Sequence, residues 1–123
     1  MIISLIQKKY NDSIKLYSPY DCSDSKLPMQ LIEILDKTNG IMETMIHPKT
    51  GEQMEIGWII YPYDEIMKST SFYKEEYGLN GIVFSDDGAG NPFYLLDEKV
   101  YEFDPIDNES YFRADSIVNF FKE

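Results

Sequence analysis

The spacing of apolar residues predicts helices in four segments of the chain. These segments are 1–10, 27–40, 62–78 and 114–123. In the last one, apolar residues recur at i, i+3, i+4 and i+7, which is the spacing of one helical face. Pro28 and Pro62 stand near the start of two of the helices, where proline lacks an N–H that the helix does not use. Gly40 and Gly78 follow the same two helices, and glycine readily adopts the left-handed conformation that ends a helix.

Short apolar runs bounded by turn residues predict five strands. The runs are 41–46, 53–60, 81–85, 92–96 and 99–103. In the second run, Met54, Ile56, Trp58 and Ile60 alternate with the other positions, so we expect them to form one core face. The segment 11–26 is rich in Asn, Asp, Ser and Pro and predicts a loop, with a short extended piece at 14–17.

The connections between the predicted strands are short enough for hairpins. Turn residues occupy 47–52, and glycines with acidic residues occupy 86–91. Strands joined by hairpins pair antiparallel, because a parallel pair needs a long crossover. We therefore predict an α+β fold: a single antiparallel sheet with helices packed over one face. A chain of 123 residues suits one domain, which we place at 1–123.

Composition points to a folded protein of the cytoplasm. Apolar residues make up 43% of the chain and aromatic residues 15%, which argues against disorder. The apolar start is not preceded by basic residues and has no small-residue cleavage site, so it predicts structure and not a signal peptide. No apolar run reaches the roughly 18 residues that a bilayer requires. The one cysteine cannot form an internal disulfide, which fits a reducing compartment.

Negative charge is the strongest bulk signal in the sequence. The formal net charge is −11 and the pI is about 4.4. Residues 1–60 hold 8 acids and 6 bases, whereas residues 61–123 hold 14 acids and 5 bases. Such a field repels nucleic acid and anionic membranes and attracts basic proteins. Charge alone is equally compatible with a role in solubility only.

The stretch FSDDGAGNPFYLLD, residues 84–97, has the composition of a ligand-binding loop but the spacing of a turn. A calcium loop that began at Asp86 would place Gly88 and Gly90 at ligand positions, and neither has a side-chain oxygen. A dinucleotide loop would need a third glycine where Phe93 stands, and the lysine of a phosphate loop is also missing. We interpret the stretch as a tight connection in which Gly88 and Gly90 adopt positive φ. Asp86 and Asp87 would then accept hydrogen bonds from its backbone amides.

No set of residues in the sequence points to catalysis. His47 is the only histidine and lies in a predicted turn. Cys22 stands beside Asp21, whose charge would raise the pKa of the thiol and weaken it as a nucleophile. We therefore predict no enzyme activity and no cofactor or metal. The remaining enzymatic alternative is a small carboxylate-based hydrolase with two facing acids, such as Glu102 and Asp86.

Four segments of the sequence resemble the SUKH superfamily. LPMQLIEILDKTNG resembles its first helix with the Asn-Gly that follows, and GIVFSDDGAGNPFYLLD resembles its strand, Asp-Gly-x-Gly turn and strand. KVYEFDP followed by ADSIVNFFKE is similar to its later strand and closing helix. The resemblance covers about 27–121 and implies an α+β fold. It also implies that Asn39, Gly40, Gly88 and Gly90 are structural, and the superfamily has no shared catalytic residues.

The resemblance also implies a function. SUKH proteins are typically bacterial immunity proteins that block toxin domains, and others are intracellular regulators, including a eukaryotic cell-wall assembly regulator. We expect an immunity protein whose acidic, tyrosine-bearing face covers the basic active site of a toxin, with nucleases as one candidate class. The alternative is a regulatory scaffold that binds an endogenous protein. The predicted contact residues are the acids Asp64, Glu65, Asp86, Asp87, Glu102, Asp104 and Asp107, with Trp58, Tyr61 and Tyr63 as anchors.

Overall fold

The computed structural model describes residues 2–123, and within them it contains four helices and seven strands. The helices are α1 (Ile2–Lys9), α2 (Met29–Leu35), α3 (Tyr63–Tyr77) and α4 (Ile117–Lys122). The strands are β1 (Ile14–Leu16), β2 (Ile41–Ile46), β3 (Gln53–Ile60), β4 (Ile82–Asp86), β5 (Pro92–Leu96), β6 (Lys99–Asp104) and β7 (Glu109–Ala114). The α+β class predicted from the sequence is confirmed.

The strands form two antiparallel sheets, so the prediction of a single sheet is wrong. One sheet has the order β1-β2-β3 and the other β4-β5-β6-β7. The sheets meet where β3 ends: the Tyr61 N–H donates to the Phe84 carbonyl at 2.8 Å, and the Ser85 hydroxyl donates to the Ile59 carbonyl at 2.6 Å. The pairing register shifts within β4 and within β2 close to this junction. Such irregularities bend and twist strands. No regular ladder crosses from one sheet to the other.

Helices cover both faces of the four-stranded sheet, and the prediction that they pack over one face is therefore wrong. Phe93 lies opposite Glu102 in the register, so Phe103 points to the other face. Phe120 of α4 packs on Phe93 with ring centres 4.8 Å apart, whereas Tyr77 of α3 packs on Phe103 at 5.2 Å. Aromatic side chains on both faces of these central strands require cover on both sides.

Strand β7 was not predicted from the sequence, because its residues lack an apolar alternation. Within ESYFRA, only Ala114 is buried. The predicted helix at 114–123 begins instead at Ile117, and the Ser116 hydroxyl accepts a hydrogen bond from the Asn119 N–H at 3.0 Å as its N-cap. The short extended piece predicted at 14–17 corresponds to β1.

The first half of β3 lies outside the core, contrary to the prediction of one continuous core face. Met54 is 43% exposed and Ile56 is 54% exposed, whereas Trp58 is half-buried and Ile60 is fully buried. Met54 lies opposite Met45 in the hairpin, and both side chains are exposed. The hairpin thus extends past the packed part of the molecule and presents apolar side chains to solvent.

A buried threonine holds the segment that joins α2 to β2. The Thr38 hydroxyl accepts a hydrogen bond from the Tyr17 N–H at 2.8 Å and donates to the Gly40 carbonyl at 2.7 Å. Helix α2 ends at Leu35, so Gly40 lies beyond the helix and does not end it, although its φ of +96° has the predicted sign. A Cβ at Gly40 would come within 3.0 Å of the Pro62 nitrogen and of the Trp58 ring.

We predict that Gly40→Ala destabilises the protein more than Gly88→Ala does. Both glycines have positive φ, which costs a side chain about 1–2 kcal/mol. A Cβ at Gly88 would meet no atom within 4 Å, whereas one at Gly40 would overlap Pro62 and Trp58, adding about 1–3 kcal/mol. Urea unfolding of both variants measures the difference. Equal losses of stability would show that the close packing around Gly40 relaxes without strain.

Candidate functional site

A cleft beside the junction of the two sheets contains three of the predicted contact residues. Its volume is about 490 Å³, and Trp58, Asp86 and Asp87 line it. The lining also includes Lys9, Tyr10, Glu43, Ile56, Arg113 and Glu123. Helices α1 and α4, strands β3 and β7 and the loop after β4 all contribute to it. The cleft therefore gathers residues that are far apart in the sequence.

The cleft carries more acids than bases, and its bases already have partners. Its acids are Glu43, Asp86, Asp87 and Glu123, and its bases are Lys9 and Arg113. The Lys9 ammonium donates to the backbone carbonyl of Glu123 at 2.8 Å. The Arg113 guanidinium lies 2.9 Å from the Glu102 carboxylate and 3.9 Å from that of Glu123. An approaching cation would therefore meet a net negative surface.

The loop after β4 has the turn structure predicted from the sequence. Asp86 Oδ1 accepts from the Gly88 N–H at 2.7 Å, and Asp87 Oδ1 accepts from the N–H groups of Ala89 and Asn91 at 2.8 and 3.1 Å. Gly88 and Gly90 have φ of +79° and +100°. Both aspartates therefore stabilise the loop and present their carboxylates at fixed positions on the cleft wall.

Tyr61 does not line the cleft, but it contacts Asp86, which does. Its hydroxyl donates to Asp86 Oδ2 at 2.6 Å, and the residue is buried. Burial, and after it the hydrogen bond to Asp86, raise the pKa of the Tyr61 hydroxyl well above its ordinary value of about 10. Tyr61 thus fixes Asp86 in place, and its ring packs in the core.

Three predicted contact residues occupy the first turn of α3. Tyr63 stacks on Tyr20 with ring centres 4.9 Å apart, and its N–H donates to the Asn39 side chain at 2.8 Å. Asp64 is exposed and Glu65 half-buried. Negative charge is favourable at a helix N-terminus, so these acids stabilise α3 in addition to any role in binding.

The remaining predicted acids belong to β6 and the turn that follows it. Glu102 accepts hydrogen bonds from Arg113 at 2.9 Å and from Asn91 at 3.3 Å. Asp104 Oδ1 accepts from the N–H groups of Ile106 and Asp107, which holds the turn. Asp107 itself is exposed. The ten predicted residues therefore do not form one surface: three line the cleft, Tyr61 and Glu102 contact residues that line it, and five lie elsewhere.

Sequence reasoning missed Glu43, Lys9, Arg113 and Glu123 as cleft residues. Lys9 and Glu123 are 114 positions apart, and no local pattern joins them. Arg113 lies on β7, whose existence was not predicted. The one available signal was Arg113 itself, the single arginine of the sequence, which stands among the acids of the C-terminal half.

The residues considered for catalysis have structural partners or lie buried. The His47 ring accepts from the N–H groups of Lys49 and Thr50 through Nδ1 within its predicted turn. Cys22 is buried, and burial is the main cause that raises the pKa of its thiol, with the charge of Asp21 adding to it. Over residues 2–123, no three His, Cys, Asp or Glu side chains are grouped as a metal site, and no helix has the length and apolar character to cross a bilayer.

A larger groove of about 770 Å³ lies between α1, α2 and α4 and contains none of the predicted residues. Its charged lining mixes Lys8, Lys37 and Lys122 with Glu33 and Asp36. Because this mixture has no acidic excess, the smaller cleft matches an acidic binding surface better.

Comparison with known proteins gives one match. The family model described as SMI1 / KNR4 family (SUKH-1) matches residues 22–123. The matched range contains the loop after β4 and all strands from β2 onward, but neither α1 nor β1. No curated protein and no solved structure matches the chain.

We predict that Tyr61→Phe lowers the free energy of unfolding by about 2 kcal/mol, because a hydrogen bond to a charged group is lost. It also changes the pH dependence. In the wild type, the raised pKa of Tyr61 keeps the folded form protonated while the unfolded form ionises. The contribution of Tyr61 is therefore complete below about pH 10 and falls by up to about 1.4 kcal/mol per pH unit above it.

Urea unfolding of the wild type and Tyr61→Phe between pH 7 and pH 11 measures both effects. Tyr63→Phe is the matched control, since Tyr63 packs on a ring but its hydroxyl has no hydrogen bond within the described chain. We expect the gap between the wild type and Tyr61→Phe to narrow above pH 10. A gap that stays constant would show that Tyr61 ionises equally in both states.

Proposed function

We propose, since the chain belongs to the SMI1/KNR4 family (SUKH-1), which includes immunity proteins, that it binds a bacterial toxin and neutralises it by covering a basic surface. The observation that carries the proposal is the cleft, whose acids outnumber its bases and whose bases are already paired. Lys9 and Arg113 bond to Glu123 and Glu102, so neither occupies Glu43, Asp86 or Asp87. A cationic surface can therefore reach these three carboxylates without displacing a lysine or arginine of the protein.

Charge supports the proposal at long range. The net charge of −11 produces a field that steers a basic partner toward the protein and speeds association. The carboxylates of the cleft would occupy the positions that substrate phosphates take on a nucleic-acid-cleaving toxin. A nuclease is therefore the toxin class that this surface fits best.

The structure offers a short-range component next to the acids. Ile56 lines the cleft, and Met54 and Met45 extend the exposed apolar surface along the hairpin. Protein interfaces combine an apolar centre with a charged rim, and methionine adapts its shape to a partner. We place the centre of the interface at Trp58 and Ile56, with Glu43 and Asp87 beside them. The exposed Asp64 and Asp107 would act mainly through the long-range field.

Neutralisation by this mechanism requires no chemistry from the protein. The binder occupies the site that the toxin's substrate needs, so affinity and placement determine its effect. This matches an interpretation of the acids as fixed charges: Asp86, Asp87 and Glu102 are each held by hydrogen bonds to neighbouring groups.

We predict that Glu43→Gln with Asp87→Asn slows association with the protein encoded beside this gene by about tenfold at low salt. Asn at position 87 keeps an oxygen that can accept from Ala89 and Asn91, so the loop is retained while one charge is lost. Stopped-flow or surface binding at rising salt gives the association rate. We expect the rate for the wild type to fall with salt more steeply than that for the variant.

The matched control is Glu75→Gln with Glu76→Gln, which removes two exposed charges from the end of α3, away from the cleft. Co-expression of each variant with the neighbouring protein, scored as growth, tests neutralisation directly. If the wild type neither binds nor rescues growth, the immunity function is wrong. Binding to an endogenous protein in that case would favour the regulatory scaffold. If both double variants lose the same rate, the cleft is not the contact surface.

A further inference from the structure

The outer edge of β7 is open. This strand is the last of its sheet and pairs only with β6. Within residues 2–123, its other edge makes no backbone hydrogen bond to any segment outside the sheet. Tyr111 and Phe112 on this strand are 46% and 56% exposed. An edge of this kind, with free N–H and C=O groups and exposed aromatic rings, is a template for another strand.

The charges on β7 are complementary to a second copy of the same strand. Glu109 and Tyr111 alternate with Ser110 and Phe112, and Tyr111 pairs with Glu102 of β6, so both lie on the face of Glu102. The register shifts after Phe112, so Arg113 is an extra residue of β7, but its hydrogen bond to Glu102 places it on the same face. Two antiparallel copies related by a two-fold axis through Tyr111 would place Glu109 of each opposite Arg113 of the other. Opposite charges directly across two strands stabilise their pairing, and this arrangement contains two such pairs.

We propose that β7 pairs antiparallel with β7 of a second copy, with Tyr111 on the two-fold axis, and joins the two four-stranded sheets into one. The interface is isologous, since the same strand serves on both sides. It does not depend on the proposed function of the cleft.

Arg113 can take part without losing its present contacts. Its guanidinium lies 2.9 Å from Glu102 and 3.9 Å from Glu123, and it is partly exposed. The guanidinium also lies over the Phe93 ring, with its centre 5.9 Å from the ring centre. Its one hydrogen bond goes to Glu102, and arginine has five donors, so others are available to Glu109 of the second copy. The Tyr111 hydroxyl donates to Glu109 at 3.1 Å, which holds this carboxylate on the same face as Arg113.

Charge also limits the length of the pairing. In the proposed register, Asp107 of one copy would approach Asp115 of the other just beyond the ends of the strand. This repulsion confines the ladder to β7 itself, and the area covered by so short a ladder is small. We therefore expect a dimer that forms reversibly with rising protein concentration.

The two-fold axis would run perpendicular to the joined sheet, because the same face of both strands is turned to the same side. Arg113 belongs to this face and lines the cleft. The dimer would thus present its two acidic clefts on one side, where a partner with two basic patches could engage both.

Single cysteines test the register. We expect Tyr111→Cys to form a disulfide-linked dimer rapidly with a mild oxidant, because the two thiols meet on the axis. Ser110→Cys, one position away and also exposed, lies opposite Phe112 and should not link to itself, whereas a mixture of Ser110→Cys with Phe112→Cys should link. The wild type controls for Cys22, which is buried. Equal linking by Tyr111→Cys and Ser110→Cys would overturn the proposed register.

A charge reversal tests the interface without any cross-link. Glu109→Arg and Glu76→Arg both change the net charge by the same amount, and both glutamates are exposed. If only the overall repulsion between two negatively charged copies mattered, both variants would dimerise more tightly than the wild type. The proposed pairing instead predicts that Glu109→Arg alone weakens the dimer about tenfold, since arginine would face Arg113 twice. Sedimentation equilibrium gives the dissociation constants. A wild-type protein that stays monomeric at millimolar concentration, or a Glu109→Arg dimer as tight as that of Glu76→Arg, would overturn the proposal.

Discussion

The junction between the two sheets is the constraint on which the rest of the structure depends. Two backbone carbonyls, of Phe84 and Ile59, accept hydrogen bonds across it, and the buried Tyr61 hydroxyl donates to Asp86 just beyond it. No continuous ladder joins the sheets, and these bonds connect the end of β3 to β4. The cleft lies beside this junction, and residues of β3 and of β4 with its following loop line it. A local hydrogen bond to one aspartate thus couples the core to the surface that we propose binds a partner.

Several acids of this protein have structural roles, whether or not they also bind a partner as we propose. Asp87 holds the turn, Glu102 fixes Arg113, and Asp104 holds the turn after β6. A carboxylate that already accepts hydrogen bonds has a fixed position, so a partner binding to it loses little further conformational freedom. The hydrogen bonds also distinguish acids held at fixed positions from exposed acids such as Asp64, a distinction that the charge count alone does not reveal.

What could be predicted from the sequence was local. The loop at 86–91 was predicted because aspartate and glycine determine a turn within a few residues, and α2 and α3 because proline and an apolar stripe mark them. The split of the sheet was not predictable, since β3 and β4 follow each other with only α3 between them, and no residue pattern shows that they do not pair in one ladder. Strand β7 was missed because its exposed residues show no alternation of apolar and polar positions. The cleft lies beside the split between the sheets and is lined in part by β7, and neither feature was predicted. Among its lining residues, only Trp58, Asp86 and Asp87 were therefore predicted as contact residues.

The last residue of the described chain lies at the cleft, where the Glu123 carbonyl accepts a hydrogen bond from Lys9 at the end of α1. This contact has a practical consequence for handling the protein. An affinity tag or fluorescent fusion joined after residue 123 would emerge at the rim of the acidic surface and obstruct it. It would also disturb Glu123, whose carbonyl accepts the hydrogen bond from Lys9, whereas Arg113 would keep its closer contact with Glu102.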